Sequence, residues 1–406
     1  MTRPPASPVI LFGAFDRHNL GDLLFPHVAA ALLPGRELLF AGLADRDLRP
    51  FGGHLVRPLA RVVAELGDRR AMLLHVGGEV LTCDAWQAAV MLLSPDEAQP
   101  TIARLDTRPL QRRAWARAML NLPASAPNSP YAASREQFPE LARVVYAGVG
   151  GVALDECDPA LRAEVLTKLA AADTVTVRDR RTLAHLDAAG VAARLLPDPV
   201  VMVAELFGPL IRARAGDGEP ARILAALPKG YLAVQFSADF GDDDTLARIA
   251  AQLDRAIESS GCGVALFRAG AAPWHDDLDV LRRTAARMRS PLVQVFESLD
   301  IWDICALIAS SRGYCGSSLH GRIVAMAFAL PRVNLHHPSS TSRSGKQAAF
   351  AATWDTTDMP ASVGVDESAE AIDVALSADR ALLDRTARQL ASRYRQGFDA
   401  IHDGPR

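Results

Sequence analysis

What most constrains this chain is a recurring pattern: a short apolar run without polar alternation, then glycine or turn residues, then a stretch with apolar residues at helical spacing. Runs of this kind read as strands buried on both faces, which occur in parallel sheets covered by helices. The pattern places strands at 9–15, 37–41, 71–76, 143–149, 174–177 and 193–196, and helices at 23–33, 59–66, 159–172 and 181–189. A looser stretch at 206–229, rich in Gly, Pro and Arg, reads as an interdomain linker. The pattern then resumes, with strands at 231–236, 263–267, 292–296 and 313–315 and helices at 244–259, 278–288, 301–310 and 321–328. Strand alternating with helix predicts an α/β fold with right-handed crossovers. Two such series predict two Rossmann-like domains with parallel sheets facing a cleft, where ligands bind beyond the carboxyl ends of the strands. The expected domains are 1–212, with an insertion at 82–139, and 222–406, closed by helices between 367 and about 401. The insertion breaks the alternation and carries the Pro- and Ser-rich LPASAPNSPYAASREQFP, which fits a lid, an acceptor-binding segment or a surface excursion.

Size and charge narrow the function classes. A length of 406 residues suits two domains, and 44 Lys+Arg against 47 Asp+Glu give a net charge of −3, with no bulk attraction to nucleic acid. The five cysteines, Cys83, Cys157, Cys262, Cys305 and Cys315, are odd in number and scattered, which predicts free thiols in a reducing compartment. The apolar run at 9–15 is too short for a signal core or a membrane span, and no later stretch reaches about 18 uncharged apolar residues. The expected setting is cytoplasmic, without a transmembrane segment and with only peripheral membrane contact open to it.

The segment at 314–331, YCGSSLHGRIVAMAFALP, holds the most suggestive chemistry. A short strand meets two serines, a histidine and a glycine before an apolar helix. Ser317 or Ser318 can cap that helix, and its N-terminal N–H groups and dipole suit a carboxylate or phosphate. His320, in the first turn beside such an anion, suits general acid/base work. The same residues also fit an ordinary capped turn with a structural histidine. At 175–181, VTVRDRR, a strand ends in Arg178 and Asp179. Arg178 could fork onto a carboxylate or phosphate while Asp179 holds it or caps the next helix, and a surface ion pair is the alternative. Glycine-rich turns at Gly13 to Gly21, at Gly77-Gly78 and at Gly148, Gly150 and Gly151 each follow a strand. There is no GxGxxG with a following acid, no GxxxxGK[ST] and no GxSxG, and adjacent His336 and His337 lack zinc-pair spacing. Neither a cofactor nor a metal is expected.

The order of motifs FGAFDRHNLGDLLF, HVGGEVL, VVYAGVGG, TVTVRD, LLPDPVVM, SSLHGRIVAMAFALPRVNL and GKQAAFAATW resembles the polysaccharide pyruvyl transferase family, from about Val9 to Trp354. That resemblance implies two Rossmann-like domains in a GT-B-type arrangement. It also implies transfer of the enolpyruvyl unit of phosphoenolpyruvate onto a sugar, forming a pyruvate ketal and releasing phosphate. By this resemblance the family histidine falls on His320 and the VRD arginine on Arg178, both catalytic. Ser317, Ser318 and Gly321 fall in the donor-binding turn, the GK lysine on Lys346, and Asn19 and Asp22 on the NxGD motif. Phosphoenolpyruvate enters as a substrate and the second partner is a sugar acceptor, free or lipid-linked. Two departures stand out. Ser318 occupies a position where many relatives carry Arg, a loss that Arg322, Arg343 or Lys346 could offset, and Glu79 follows Gly77-Gly78 where relatives often continue with Gly.

Two other readings stay open. A GT-B glycosyltransferase would use a nucleotide-sugar donor, and a non-catalytic binding protein of a polysaccharide locus would use none. Trp86, Trp115, Tyr131, Trp274 and Trp354 are the rings that could stack on a sugar, though each also suits core packing.

Overall fold

The computed structural model describes residues 7–122, 128–338, 345–356, 359, 360 and 362–402. Arg343 and parts of the 82–139 and 222–406 segments therefore lie outside the described residues. The chain divides into two compact units, Met1–Pro199 with Tyr394–Arg406, and Val200–Arg393.

The first unit is built on an eight-stranded sheet in the order β3-β4-β2-β1-β5-β6-β7-β8. Its strands are β1 (Val9–Phe12), β2 (Leu38–Gly42), β3 (Arg46–Asp47), β4 (Leu55–Pro58), β5 (Ala71–His75), β6 (Leu141–Val149), β7 (Thr174–Val177) and β8 (Arg194–Leu195). All pairings are parallel except β3 with β4. Burial explains the apolar runs: Val9, Ile10, Leu11 and Phe12 are all wholly covered, as a central strand between two helix layers requires. The covering helices are α1 (Leu20–Leu32), α2 (Leu59–Ala64), α3 (Ala85–Met91), α4 (Pro95–Leu105), α5 (Pro109–Met119), α6 (Pro159–Ala170) and α7 (Arg180–Ala188).

The segment at 82–139 is no loose excursion in its described part. It supplies α3, α4 and α5, and Trp86, Ala116 and Tyr131 join the buried cluster of the first unit. Asp84 and Gln87 close a reciprocal cap at the start of α3, each side chain accepting from the other's backbone N–H. Trp86 then packs edge-on against Trp115, with centroids 5.4 Å apart.

The second unit holds a five-stranded parallel sheet in the order β11-β10-β9-β12-β13. Its strands are β9 (Tyr231–Gln235), β10 (Gly263–Leu266), β11 (Val293–Val295), β12 (Gly313–Gly316) and β13 (Arg332–Asn334). Around them lie α8 (Val203–Ala215), α9 (Gly218–Ala226), α10 (Asp243–Ser260), α11 (Leu278–Ala285), α12 (Ile301–Ala309), α13 (Leu319–Ala327), α14 (Lys346–Trp354) and α15 (Ser368–Leu376). The last helix, α16 (Arg380–His402), begins in this unit and ends in the first.

The structure corrects the linker expected at 206–229. That segment forms α8 and α9, and the boundary between units falls at Pro199/Val200 instead. α8 packs on α12, with the Phe207 and Trp302 rings 5.0 Å apart and Arg214 paired with Asp300 and Asp303 at 3.4 and 3.2 Å. Its C-cap Gly216 and the Asp217 cap of α9 explain the loose appearance of the segment, because the turn residues punctuate two helices. All five cysteines are free thiols. No helix among the described residues is long and apolar enough to cross a membrane.

Candidate functional site

The eight site residues expected from sequence divide between the units: Asn19, Asp22 and Arg178 lie in the first, and Ser317, Ser318, His320, Gly321 and Lys346 in the second.

In the second unit the turn from β12 to α13 forms as its sequence predicts. Ser318 is the N-cap, its Oγ accepting from the Gly321 N–H at 3.2 Å, and His320 is the second helical residue, 8% exposed. Gly321 has a packing reason to be glycine: an added Cβ would lie 2.7 to 2.8 Å from the Tyr314 ring. Tyr314 in turn donates its hydroxyl hydrogen to the Ser318 carbonyl at 3.0 Å. The Ser318 N–H donates to Gln235 Oε1 at 2.7 Å, so the last residue of β9 grips the cap of the helix that carries His320.

Ser317 faces a different set of partners. Its Oγ accepts from the Ser237 N–H at 3.1 Å and its carbonyl accepts from Gln347 Nε2. These residues border a cavity of about 190 Å³ at the carboxyl edge of the sheet, whose lining includes Ser237, Asp239, Phe240, His336 and Gln347. His336 Nδ1 lies 3.2 Å from Ser362 Oγ, and the His337 ring stands edge-on to Phe240. Lys346 is exposed at the first position of α14, one residue before Gln347. The fold thus brings Ser317 and the start of α14 to one cavity, which His320 does not line.

Arg322, a candidate to replace the cation missing at Ser318, is fully buried and shares the Asp355 carboxylate with Arg332, whose Nε lies 3.1 Å from it. Burial lowers the pKa of Arg322 against the pull of Asp355. It therefore ties α13 to the end of α14.

The backbone of Gly316 passes so near β9 that an added Cβ would meet the Gln235 carbonyl oxygen well inside van der Waals contact. Replacing Gly316 with alanine is expected to cost about 1–3 kcal/mol of stability by forcing two paired strands apart. Chemical denaturation followed by far-UV circular dichroism reads this as an earlier midpoint, and an unchanged midpoint would refute the close approach.

The remaining expected residues belong to the first unit. Asn19 caps α1, its Oδ1 accepting from Gly21 and Asp22 N–H at 3.2 and 3.4 Å. Asp22 lies 3.7 Å from Arg17, which donates to Tyr131 Oη at 2.8 Å; Tyr131 donates to Asp16 Oδ1 at 2.8 Å. Burial raises the Asp16 pKa in spite of Arg17 beside it. Gly77 and Gly78, at φ of 118° and 90°, need glycine for the turn after β5.

Arg178 is buried within ion pairs. Its side chain is 1% exposed and donates to Glu79 Oε2 at 2.7 Å and Asp198 Oδ2 at 3.0 Å. Glu79 Oε1 also accepts from the Val152 N–H at 2.8 Å. Two carboxylates engage the guanidinium, and Arg178 thereby joins the end of β7 to the segments that follow β5 and β8. Asp179 takes the capping alternative, accepting from the Thr182 N–H at 2.7 Å. Sequence spacing could not join Glu79 to Arg178 across 99 residues. Gln235 was missed for another reason, since a single amide closing an apolar strand reads as its boundary.

Of the five rings considered for sugar stacking, only Trp274 is strongly exposed, at 46%, with φ of 64°. Trp86, Tyr131 and Trp354 are buried, and Trp115 is partly buried.

Residues 141–337 match the family model described as polysaccharide pyruvyl transferase, a span that includes Arg178 and the β12–α13 turn. No curated protein matches the chain. Among solved structures, the UDP-GlcNAc 2-epimerase from Methanocaldococcus jannaschii is similar with a TM-score of 0.55 at 11% identity, over 98% of this chain and 99% of that one. The UDP-GlcNAc 2-epimerase from Neisseria meningitidis bound to UDP-GlcNAc gives 0.54 at 9% identity, over 98% and 100%. A putative UDP-N-acetylglucosamine 2-epimerase from Listeria monocytogenes gives 0.52 at 12%, over 95% and 92%. At these identities the likeness establishes the fold: α/β, two Rossmann-like units, GT-B type.

Proposed function

With the polysaccharide pyruvyl transferase match over residues 141–337 as premise, we propose that the chain moves the enolpyruvyl unit of phosphoenolpyruvate onto a sugar and closes it into a pyruvate ketal. The observation that carries this reading is the β12–α13 turn inside the matched region: a serine-capped helix start with His320 in its first turn. A helix N-terminus favours an anionic substrate, and a histidine there can hold or release a proton as the substrate reacts.

The chemistry balances as follows. A proton added to the methylene carbon of phosphoenolpyruvate makes it a methyl group and leaves C2 cationic. A sugar hydroxyl attacks C2 and gives up its proton. The C2–O bond to phosphate then breaks, phosphate departs with the bonding pair, and a second hydroxyl of the same sugar closes the ketal and loses its proton. His320 is assigned the acid/base role. With Arg178 engaged by Glu79 and Asp198, the anion-binding role passes to the helix start at Ser318 and to Lys346. Donors set in place before the reaction are worth several kcal/mol to developing charge. The acceptor is a sugar with two neighbouring hydroxyls, free or lipid-linked, and the reaction calls for no cofactor or metal.

Calorimetric titration with phosphoenolpyruvate, run beside UDP and GDP, tests the donor. The expected result is saturable binding of phosphoenolpyruvate alone. Binding of a nucleoside diphosphate in its place would replace this reading with the nucleotide-sugar one.

A further inference from the structure

The loop after β10 and the last residue of β9 form a polar chain that ends on the His320 turn. Asp276, in that loop, is partly buried as a residue, but protein donors take both of its carboxylate oxygens. Oδ2 accepts from the Ala269 and Gly270 N–H groups at 2.6 and 3.3 Å, and Oδ1 accepts from Gln235 Nε2 at 2.7 Å. Gln235, 1% exposed, turns its other end to Ser318, whose N–H donates to Oε1 at 2.7 Å, with Tyr314 Oη 3.3 Å from Oε1 and 3.2 Å from the same N–H. Backbone N–H groups can only donate, so both ends of the chain fix the orientation of the amide between them.

We propose that Asp276 and Gln235 are positioning residues for His320: the ionised Asp276 carboxylate holds the Gln235 amide in the one orientation that grips the Ser318 N–H, and protonation of Asp276 releases that grip. The part that assigns chemistry to His320 rests on the preceding reading; the relay itself does not.

The argument is one of donor counting. A proton on Asp276 cannot sit on Oδ2, which already faces two N–H groups, so it must sit on Oδ1 facing Gln235. Gln235 then has to offer its carbonyl to Asp276, which turns its NH2 onto the Ser318 N–H, donor against donor. The Ser318 N–H then keeps only its longer bond to Tyr314 Oη at 3.2 Å, and the hold of the turn on β9 weakens to the bond from the Ser317 N–H to the Gln235 backbone carbonyl at 3.2 Å. Burial pushes the Asp276 pKa up to about 7, against the Ala269 N–H, Gln235, the Gly270 N–H and the Arg268 cation. The other ionisable groups nearby are Asp277, the cap of α11; His275, whose Nδ1 lies 3.0 Å from the Pro273 carbonyl; and Tyr314 from β12, with Arg322 of α13 behind it. The relay is therefore engaged above neutral pH and released below it.

Hydrogen exchange of the peptide spanning 317–321, corrected for the intrinsic rate, tests this on the full chain. Protection in the wild type should fall about ten-fold between about pH 8 and about pH 6, following the ionised fraction of one carboxyl group. Asp276→Asn should lack this protection at both pH values, because its amide nitrogen must face Gln235. Combining Asp276→Asn with Gln235→Glu exchanges the carboxylate and the amide, restores an acceptor to Ser318, and should restore protection at about pH 8. A role in packing alone would not predict rescue by the exchange. Protection in the wild type that ignores pH would overturn the relay, and so would an Asp276→Asn variant that matches it. Phosphoenolpyruvate titration of the same samples separates the two claims: a wild type that binds none at either pH removes the pyruvyl reading, while exchange alone decides the relay.

Discussion

Replacing His320 with alanine is expected to lower phosphate release from phosphoenolpyruvate, in the presence of the sugar acceptor, by 10²- to 10⁴-fold, the usual contribution of a positioned general acid or base. The turn itself should survive. Ser318 caps α13 through its own Oγ, Gly321 packs on Tyr314 through its backbone, and neither contact uses the imidazole. The measurement is steady-state phosphate release, with thermal unfolding run alongside to show that the variant is folded. A folded variant with wild-type turnover would remove His320 from the mechanism and return it to the structural role open to a histidine in a first helical turn.

The second large effect belongs to the first unit and has the opposite character. Exchanging Arg178 for methionine removes the cation between Glu79 and Asp198, the second of which is wholly buried. Leaving buried charge without its partner costs about 3–5 kcal/mol. Chemical denaturation should show that loss directly, and adding Asp198→Asn to the same chain should recover part of it, since the stranded carboxylate is then neutral. A ligand-binding arginine would behave in reverse, with stability kept and phosphoenolpyruvate affinity lost. That outcome would favour the expectation that Arg178 binds the donor.

These two residues also show where sequence reading reached the site and where it stopped. The His320 turn was legible because its logic is local: strand, capping serine and first-turn histidine lie within eight consecutive residues, and the cap needs no distant partner. Arg178 was half legible. The neighbouring Asp179 caps α7 as its position allows, but the arginine's partners come from the ends of other strands and only the folded sheet joins them. The strands followed the same rule. Wholly buried runs such as those of β1 and β9 declared themselves, whereas β3 and β4 at the sheet edge are short and polar or end in proline. β13 was hidden because Arg332 opens it, and an arginine reads as surface until Asp355 is placed against it. At 206–229 the glycines and prolines pointed to a connector. Gly216 in fact ends one helix and Asp217 starts the next, so composition alone confused helix punctuation with the absence of helices.

The return of the last helix to the first unit bears on the order in which the protein can be made. Tyr394 and Phe398 are at most 2% exposed there, and Gly397 lies against Leu196. A ribosome releases residues in order, so everything from Val200 to Arg393 emerges before those residues do. The first unit to be synthesised is thus the last to be finished, and until then the apolar side chain of Leu196, just beyond β8, lacks its cover from α16, an exposure that a chaperone must guard or the partly folded unit must tolerate.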